Sequence, residues 1–245
     1  MRALLFAALG FLAGCGTPPQ GTTAQACAID VAPTIMEESG DPHGPDGRLL
    51  QVWDIADDPA LWSGASPAGA YDDFLAQVAA RKLETDPVKL LQASPTPNNR
   101  LVVAHADEWI RPAGCLEKLL TGYQHARMDV FEAPTEFAAI VMRSPDGSRL
   151  RIYYFTINQD GIGRASPITD PAHADAASGW TMELVLHPHA FHPGQPQLNG
   201  VIAPSVPDAG FAYNQMASGL KQAWITNGIH TVRIPSDAFD RFTRE

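Results

Sequence analysis

The stretch from Leu186 to Gly210 combines three of the chain's eight histidines with a nearby carboxylate. His187, His189 and His192 fall within six residues, and Asp208 follows them. Side chains at i and i+2 of a β-strand point to one face, so a strand ending here presents the first two imidazoles side by side. Two histidines and one carboxylate leave the fourth position of a zinc ion open, and zinc lowers the pKa of a bound water to about 7. The spacing predicts a zinc site of His187, His189 and Asp208.

Ser205 precedes Asp208 by three residues and has two interpretations. In a hydrolase its hydroxyl could donate a hydrogen bond to the oxyanion that develops on an attacked carbonyl. Ser-x-x-Asp at a helix start is also a capping box, in which each side chain bonds the other's backbone N–H. The zinc itself also has an alternative role: it could be structural, with His192 as a fourth ligand. The sequence leaves open both roles of Ser205 and both roles of the zinc.

Strand and turn patterns in the second half of the chain predict the elements that carry these residues. Apolar strand-like runs flank a Ser-Pro-Asp-Gly-Ser turn, and Asn227-Gly228 is a strong hairpin signal. A polar loop is expected from about 158 to 179. The predicted elements are strands at 136–143, 149–157, 180–189, 223–226 and 229–234, and a helix at about 207–219. Their order predicts an α+β fold.

The first half of the chain has a different texture. Residues 16–50 are rich in Gly, Pro, Thr and Gln and indicate a tether with an irregular lead-in. Apolar residues at helical spacing predict a mainly helical region from about 51 to 130. Within it, 94–99 indicates a loop, and "NRLVVAH" a short strand. The expected units are a signal peptide (1–14), a tether with an irregular lead-in (15–50), a mainly helical region (51–124) and the domain that carries the candidate site (125–245).

The His-x-His pair, the Pro-Ser-x-x-Asp pattern and a glutamate on an earlier strand together resemble the JAMM (JAB/MPN) metalloprotease motif. The resemblance covers about residues 125–245. Its opening hairpin, "TEFAAIVMRSPDGSRLRIYYFT", is similar to that of bacterial Rhs-associated JAB-like domains. It implies a JAMM/MPN-like mixed sheet with flanking helices and hydrolysis of an amide or isopeptide bond. By residue, it implies His187, His189 and Asp208 as zinc ligands, Ser205 as oxyanion support and Glu136 as general base.

The chain departs from the family pattern in the spacing that follows His189 and in the next residue, which is Ala190 instead of the frequent Pro or Gly. Ser205 follows His189 by sixteen positions, against about eight in the commonest pattern, which we interpret as a loop insertion. Glu132 is a nearby rival for the role of Glu136. The alternative function is a non-catalytic lipoprotein that uses the same fold as a binding or scaffolding module.

The N-terminus has the pattern of an export signal. Arg2 precedes an apolar run from Ala3 to Gly14, which is shorter than the about 20 residues that span a bilayer. The run ends in Leu-Ala-Gly-Cys, which resembles the bacterial lipobox and implies lipidation of Cys15. Gly16 favours the outer membrane, facing the periplasm. The alternative is an ordinary signal peptide with an incidental cysteine.

The other two cysteines are Cys27 and Cys115. An even cysteine count in an exported protein favours a disulfide, here between the N-terminal segment and a helix start. Two separately buried thiols are the alternative.

Charge limits the partners. The chain has 17 basic and 27 acidic side chains, a net charge of −10, and no basic run. Nucleic acid is therefore not an expected partner. The expected partners are a membrane, reached through the lipid anchor, and a peptide or protein substrate.

Overall fold

The computed structural model describes residues 27–159, 166–189, 191 and 199–244. The expected signal peptide, Cys15 and His192 lie outside these residues. The strands are β1 (Thr34–Ser39), β2 (Arg48–Ala56), β3 (Ile110–Pro112), β4 (Phe137–Arg143), β5 (Arg149–Thr156), β6 (Thr181–Pro188), β7 (Gln222–Thr226) and β8 (His230–Pro235). The α-helices are α1 (Ala70–Ala80), α2 (Pro87–Ala93), α3 (Pro97–Ala104), α4 (Ala106–Trp109), α5 (Cys115–Arg127), α6 (Ser166–Ala177) and α7 (Val206–Gln215). Short 3-10 helices occupy Pro59–Trp62, Met216–Ser218 and Ser236–Arg241.

The strands of the described residues form one sheet in the order β1-β2-β5-β4-β6-β7-β8-β3. Neighbouring strands are antiparallel except β6 and β7, which are parallel. A parallel pair needs a long crossover, and here the crossover contains α7. The architecture is a mixed sheet with helices, which is compatible with the predicted α+β class.

Both faces of the sheet are buried, as the alternating side chains of β4 show. One set packs into a core that includes Leu116 and Leu120 of α5. The other set packs into a core that includes Ile168 of α6 and Ala209 of α7. The first set is Phe137, Ala139 and Val141, and the second is Ala138, Ile140 and Met142. We call the second face the α7 face, because the candidate site lies on it.

The predicted elements of the second half are confirmed within one or two residues at most ends. The two hairpins β4–β5 and β7–β8 and the strand β6 form where the patterns placed them. Gly228 has a φ of 83°, the left-handed region that the Asn-Gly turn favours. The helix ends earlier than expected, at Gln215, and a 3-10 turn continues it to Ser218.

Predictions about four segments of the first half were wrong in whole or in part. Residues 34–39 and 48–56 are strands β1 and β2, in segments expected to be irregular or helical. The segment "NRLVVAH" belongs to helix α3, because Pro97 occupies its first turn and the Thr96 hydroxyl caps Asn99 N–H at 3.1 Å. Because α3 begins at Pro97, it also replaces residues 97–99 of the loop expected at 94–99. Since β2 pairs with β5, the sheet includes strands from before and after residue 125.

The loop expected from 158 to 179 contains helix α6, which is a further correction. Ile168 and Ala172 lie four residues apart and are buried against the sheet. Asp175 accepts hydrogen bonds from Arg151 at 2.6 Å and Tyr153 at 2.7 Å, both on β5. These contacts with the sheet favour a helix in spite of Pro171, a residue that normally disfavours a helix interior.

The pairing expected between Cys27 and Cys115 is present as a disulfide, with the two Cα atoms 5.5 Å apart. It joins the first described residue to the start of α5. Within the described ranges, no helix combines the length and apolar character needed to cross a bilayer.

Candidate metal centre

The structure brings His187, His189 and Asp208 together at the end of β6. His187 Nε2 and His189 Nε2 are 3.2 Å apart, and Asp208 Oδ2 lies 3.4 Å from the first and 3.3 Å from the second. The side chains are between 13% and 25% exposed. Among the described residues, this is the one group of three or more His, Cys, Asp or Glu side chains that could hold a metal ion.

The size of this triangle fits a tetrahedral ion. Zinc–ligand distances of about 2.0–2.1 Å in a tetrahedron put neighbouring ligand atoms about 3.3–3.4 Å apart. The three observed separations, 3.2, 3.3 and 3.4 Å, match one face of such a tetrahedron. The donor set of two imidazoles and one carboxylate is also one that zinc accepts.

Backbone contacts orient His189. Its Nδ1 lies 2.6 Å from the carbonyl oxygen of Val201, which can only accept, so Nδ1 carries the proton of this bond. Its backbone N–H donates to the carbonyl of Thr226 at the end of β7, at 2.8 Å. Histidines that bind metals commonly make such a bond through their second nitrogen. Nε2 is thereby the nitrogen that faces His187 and Asp208.

Asp208 is positioned by the start of helix α7, where Ser205 is the N-cap. Asp208 N–H donates to Ser205 Oγ at 3.3 Å, and Ser205 N–H donates to Asp208 Oδ2 at 2.8 Å. The serine hydroxyl also donates to Oδ2, at 2.6 Å. The predicted capping box is therefore confirmed, and it fixes the carboxylate oxygen that faces the histidines.

His189 and the carboxylate of Asp208 shift each other's pKa values toward their charged forms. Burial opposes a charge on His189, but its hydrogen bond to Asp208 and the charges of Asp208 and Glu136 raise its pKa to about 9. Burial also acts to raise the pKa of Asp208, but His187 and His189 lower it further, well below its usual range. The site therefore stabilises a positive charge next to an ionised carboxylate. A metal ion bound there must displace the proton on His189 Nε2, while Nδ1 keeps the proton that it donates to Val201.

Glu136 lies one residue before β4 and on the α7 face. It lines the same cavity as His187 and Asp208. Ala139 of β4 pairs with Leu186 of β6, and continuing that antiparallel register places Glu136 opposite His189. The influence of Glu136 on the His189 pKa agrees with this placement.

Glu132, the rival carboxylate, lies elsewhere. Its side chain is 70% exposed and pairs with Arg81, which follows helix α1. It does not line the cavity that holds Glu136. Of the two glutamates, Glu136 is the one beside the triad.

A cavity of about 350 Å³ extends from the triad between the sheet and helices α6 and α7. Glu136, His187 and Asp208 form its polar end, and most of its remaining wall is apolar. The sequence interpretation missed this cavity and the Val201 carbonyl. A backbone acceptor leaves no signal in the sequence, and the small residues of the cavity wall come from separate elements.

Comparison of the chain with protein-family models, with curated proteins and with solved structures finds no match. The geometry described above therefore carries the functional argument.

Proposed function

We propose that the protein is a zinc-dependent hydrolase of peptide or isopeptide bonds. The observation that carries the proposal is the triangle of His187 Nε2, His189 Nε2 and Asp208 Oδ2, with edges of 3.2–3.4 Å. His187, His189 and Asp208 would hold the ion. The JAMM resemblance supports the same ligand set and adds Glu136, which lies beside it.

Zinc, when bound, supplies Lewis acidity that polarises a carbonyl group and makes water a nucleophile near neutral pH. Glu136 would accept the proton of the attacking water and deliver it to the leaving nitrogen. The remaining hydroxyl adds to the carbonyl carbon, and the C–N bond breaks. In this proposal the Ser205 hydroxyl, which has one proton and donates it to Asp208 Oδ2 in the structure, would turn to donate it to the developing oxyanion.

The proposed location is the cell envelope, with the chain anchored by lipid at Cys15 in the outer membrane and facing the periplasm. The Leu-Ala-Gly-Cys sequence after an apolar run supports this proposal. The substrate would then be a peptide or protein of the envelope. The net charge of −10 does not favour nucleic acid.

Metal content of the full chain tests the proposal. After zinc reconstitution and dialysis, we expect about one zinc per chain. The double variant His187→Ala/His189→Ala should lose it, because one carboxylate remains from the ligand set. The matched control is His43→Ala/His173→Ala, two exposed histidines outside the triad, which should retain it. Absence of zinc from the reconstituted parent would overturn the hydrolase proposal.

The second candidate function is a non-catalytic binding or scaffolding module. The complete capping box favours it, because Ser205 and Asp208 already satisfy each other's backbone groups without a metal. In that case zinc content would be negligible in the parent and in both double variants.

A further inference from the structure

We propose that the cavity beside the triad binds a bulky apolar side chain of the substrate, next to the bond that is cleaved. This inference rests on the proposed hydrolase function, and it defines the substrate as a peptide with a large aliphatic or aromatic residue at that position. The evidence is the volume of the cavity, its small wall residues and the arrangement of its polar end.

Small residues on opposite walls create the space. Ala138 of β4 and Ala223 of β7 lie on the sheet side, and Ala209 and Ala212 lie on helix α7. All four are buried, between 4% and 8% exposed. In a close-packed interior, facing walls are normally filled by larger side chains. Four alanines across one space instead leave a cavity.

The volume suits an apolar group. An engineered apolar cavity of about 150 Å³ stays dry and binds benzene. The cavity here, about 350 Å³, is more than twice as large. Its lining includes Ile140, Ile225 and Phe239, and its polar residues beyond the polar end are Thr169 and Gln215. A bound polar group would therefore lose water and gain few partners. An aromatic or long aliphatic side chain would instead bury its surface favourably.

The polar end of the cavity determines which side chain of the substrate can enter the apolar interior. Glu136, His187 and Asp208 belong to the wall of the same cavity. A carbonyl carbon reacting at the triad would therefore have an adjacent side chain within reach of the apolar interior. Small or charged side chains would leave this interior unfilled, or would bury a charge without a partner.

A metal-free experiment tests the cavity independently of the hydrolase. The probe is para-fluorotoluene, and its binding to the full chain without zinc is followed by fluorine NMR. We expect saturable binding in the parent and a loss of at least about tenfold in affinity in Ala212→Phe and in Ala138→Phe, which fill the space from opposite walls. Ala174→Phe, on the exposed side of α6, should bind like the parent. Ala212→Leu replaces either Phe variant that fails to fold by circular dichroism.

The second experiment links the cavity to the metal. Hydroxamates bind zinc, so the zinc-loaded chain is titrated with acetohydroxamate, N-acetylphenylalanine hydroxamate and octanohydroxamate. We expect the phenylalanine compound to bind about tenfold or more tightly than acetohydroxamate, because its ring gains burial. Ala212→Phe should remove that gain, so that the phenylalanine compound binds the variant no more tightly than acetohydroxamate does.

The outcomes separate the two proposals. If the parent chain binds fluorotoluene but not zinc, the hydrolase proposal is overturned and an apolar ligand pocket remains. Zinc binding without fluorotoluene binding, or equal affinity for the acetyl and phenylalanine hydroxamates, overturns the pocket proposal alone. A larger gain for octanohydroxamate than for the phenylalanine compound overturns the peptide side chain in favour of an acyl chain.

Discussion

At the scale of single residues, Glu136 separates a metal-holding function from a catalytic one. Substitution Glu136→Gln keeps the size of the side chain but removes its ability to accept a proton. We expect the variant to bind zinc like the parent and to lose peptide hydrolysis by about 10²–10⁴-fold, the usual contribution of a general base. The measurement is peptide cleavage rate, with zinc content determined on the same samples.

Glu132→Gln is the matched control for this prediction. Glu132 lies in the same connection but pairs with Arg81 away from the triad, so its loss should leave turnover near that of the parent. Equal turnover in Glu136→Gln and the parent would contradict the role of Glu136 as general base and assign that role to another group.

The ligand residues were predictable from their spacing, but the contacts that orient them and the cavity beside them were not. His187 and His189 share a face because strand side chains alternate, and Asp208 follows a recognisable helix start. The sequence gives no means of knowing that a Val201 carbonyl orients His189. Nor does it show that alanines distant in the chain face one cavity.

At the scale of elements, the start of helix α7 can be tested through Ser205. Ser205→Ala removes the cap of Asp208 N–H, and an N-cap serine replaced by alanine costs about 1 kcal/mol of stability. We expect that decrease in the free energy of unfolding, measured by urea denaturation of the zinc-free chain. Ser205→Thr keeps the hydroxyl and should stay close to the parent. A fully stable alanine variant would show that the cap contributes nothing measurable.

The turn between β4 and β5 predicts a pH dependence. Asp146 accepts hydrogen bonds from the Ser144 hydroxyl at 2.6 Å and from Ser148 N–H at 3.1 Å, and these bonds lower its pKa to about 2. A folded-state pKa below the usual 3.8 stabilises the fold above that pH, and the contribution is lost as pH falls toward 2.

The corresponding measurement compares the parent with Asp146→Ala by urea denaturation at several pH values. We expect the variant to be less stable at about pH 6, and the difference to shrink between about pH 4 and pH 2. Asp170→Ala, an exposed carboxylate of α6, serves as the control. A difference that stays constant over this pH range would exclude the carboxylate of Asp146 as its source.

Elements with strong local signals were predicted well, and those that depend on distant partners were not. The β7–β8 hairpin has an Asn-Gly turn and apolar strands, so local sequence suffices. Strand β1 is exposed along its whole length and offers no alternation to detect, and it exists because β2 pairs with it. Helix α6 depends on the bonds of Asp175 to Arg151 and Tyr153.

At the scale of the whole molecule, the Cys27–Cys115 disulfide constrains the unfolded chain. It joins residues separated by 88 positions. Disulfides typically stabilise a fold by about 2–4 kcal/mol, and long loops lie at the upper end of that range. We expect Cys27→Ser/Cys115→Ser to lose stability of that order in urea denaturation. The parent measured in reductant should behave like the double variant. An unchanged denaturation midpoint in both would contradict the prediction.

The single parallel pair of the described sheet, β6 with β7, also bears on the order of folding. The triad takes its histidines from β6 or just after it and its carboxylate from the crossover between the two strands. Local hairpins form within microseconds, whereas parallel pairing waits for a long loop to close. A partly folded chain can therefore display both imidazoles but not the three-ligand site. Zinc affinity would appear only after the crossover that carries Asp208 docks beside β6, so metal uptake during refolding would report that long-range step.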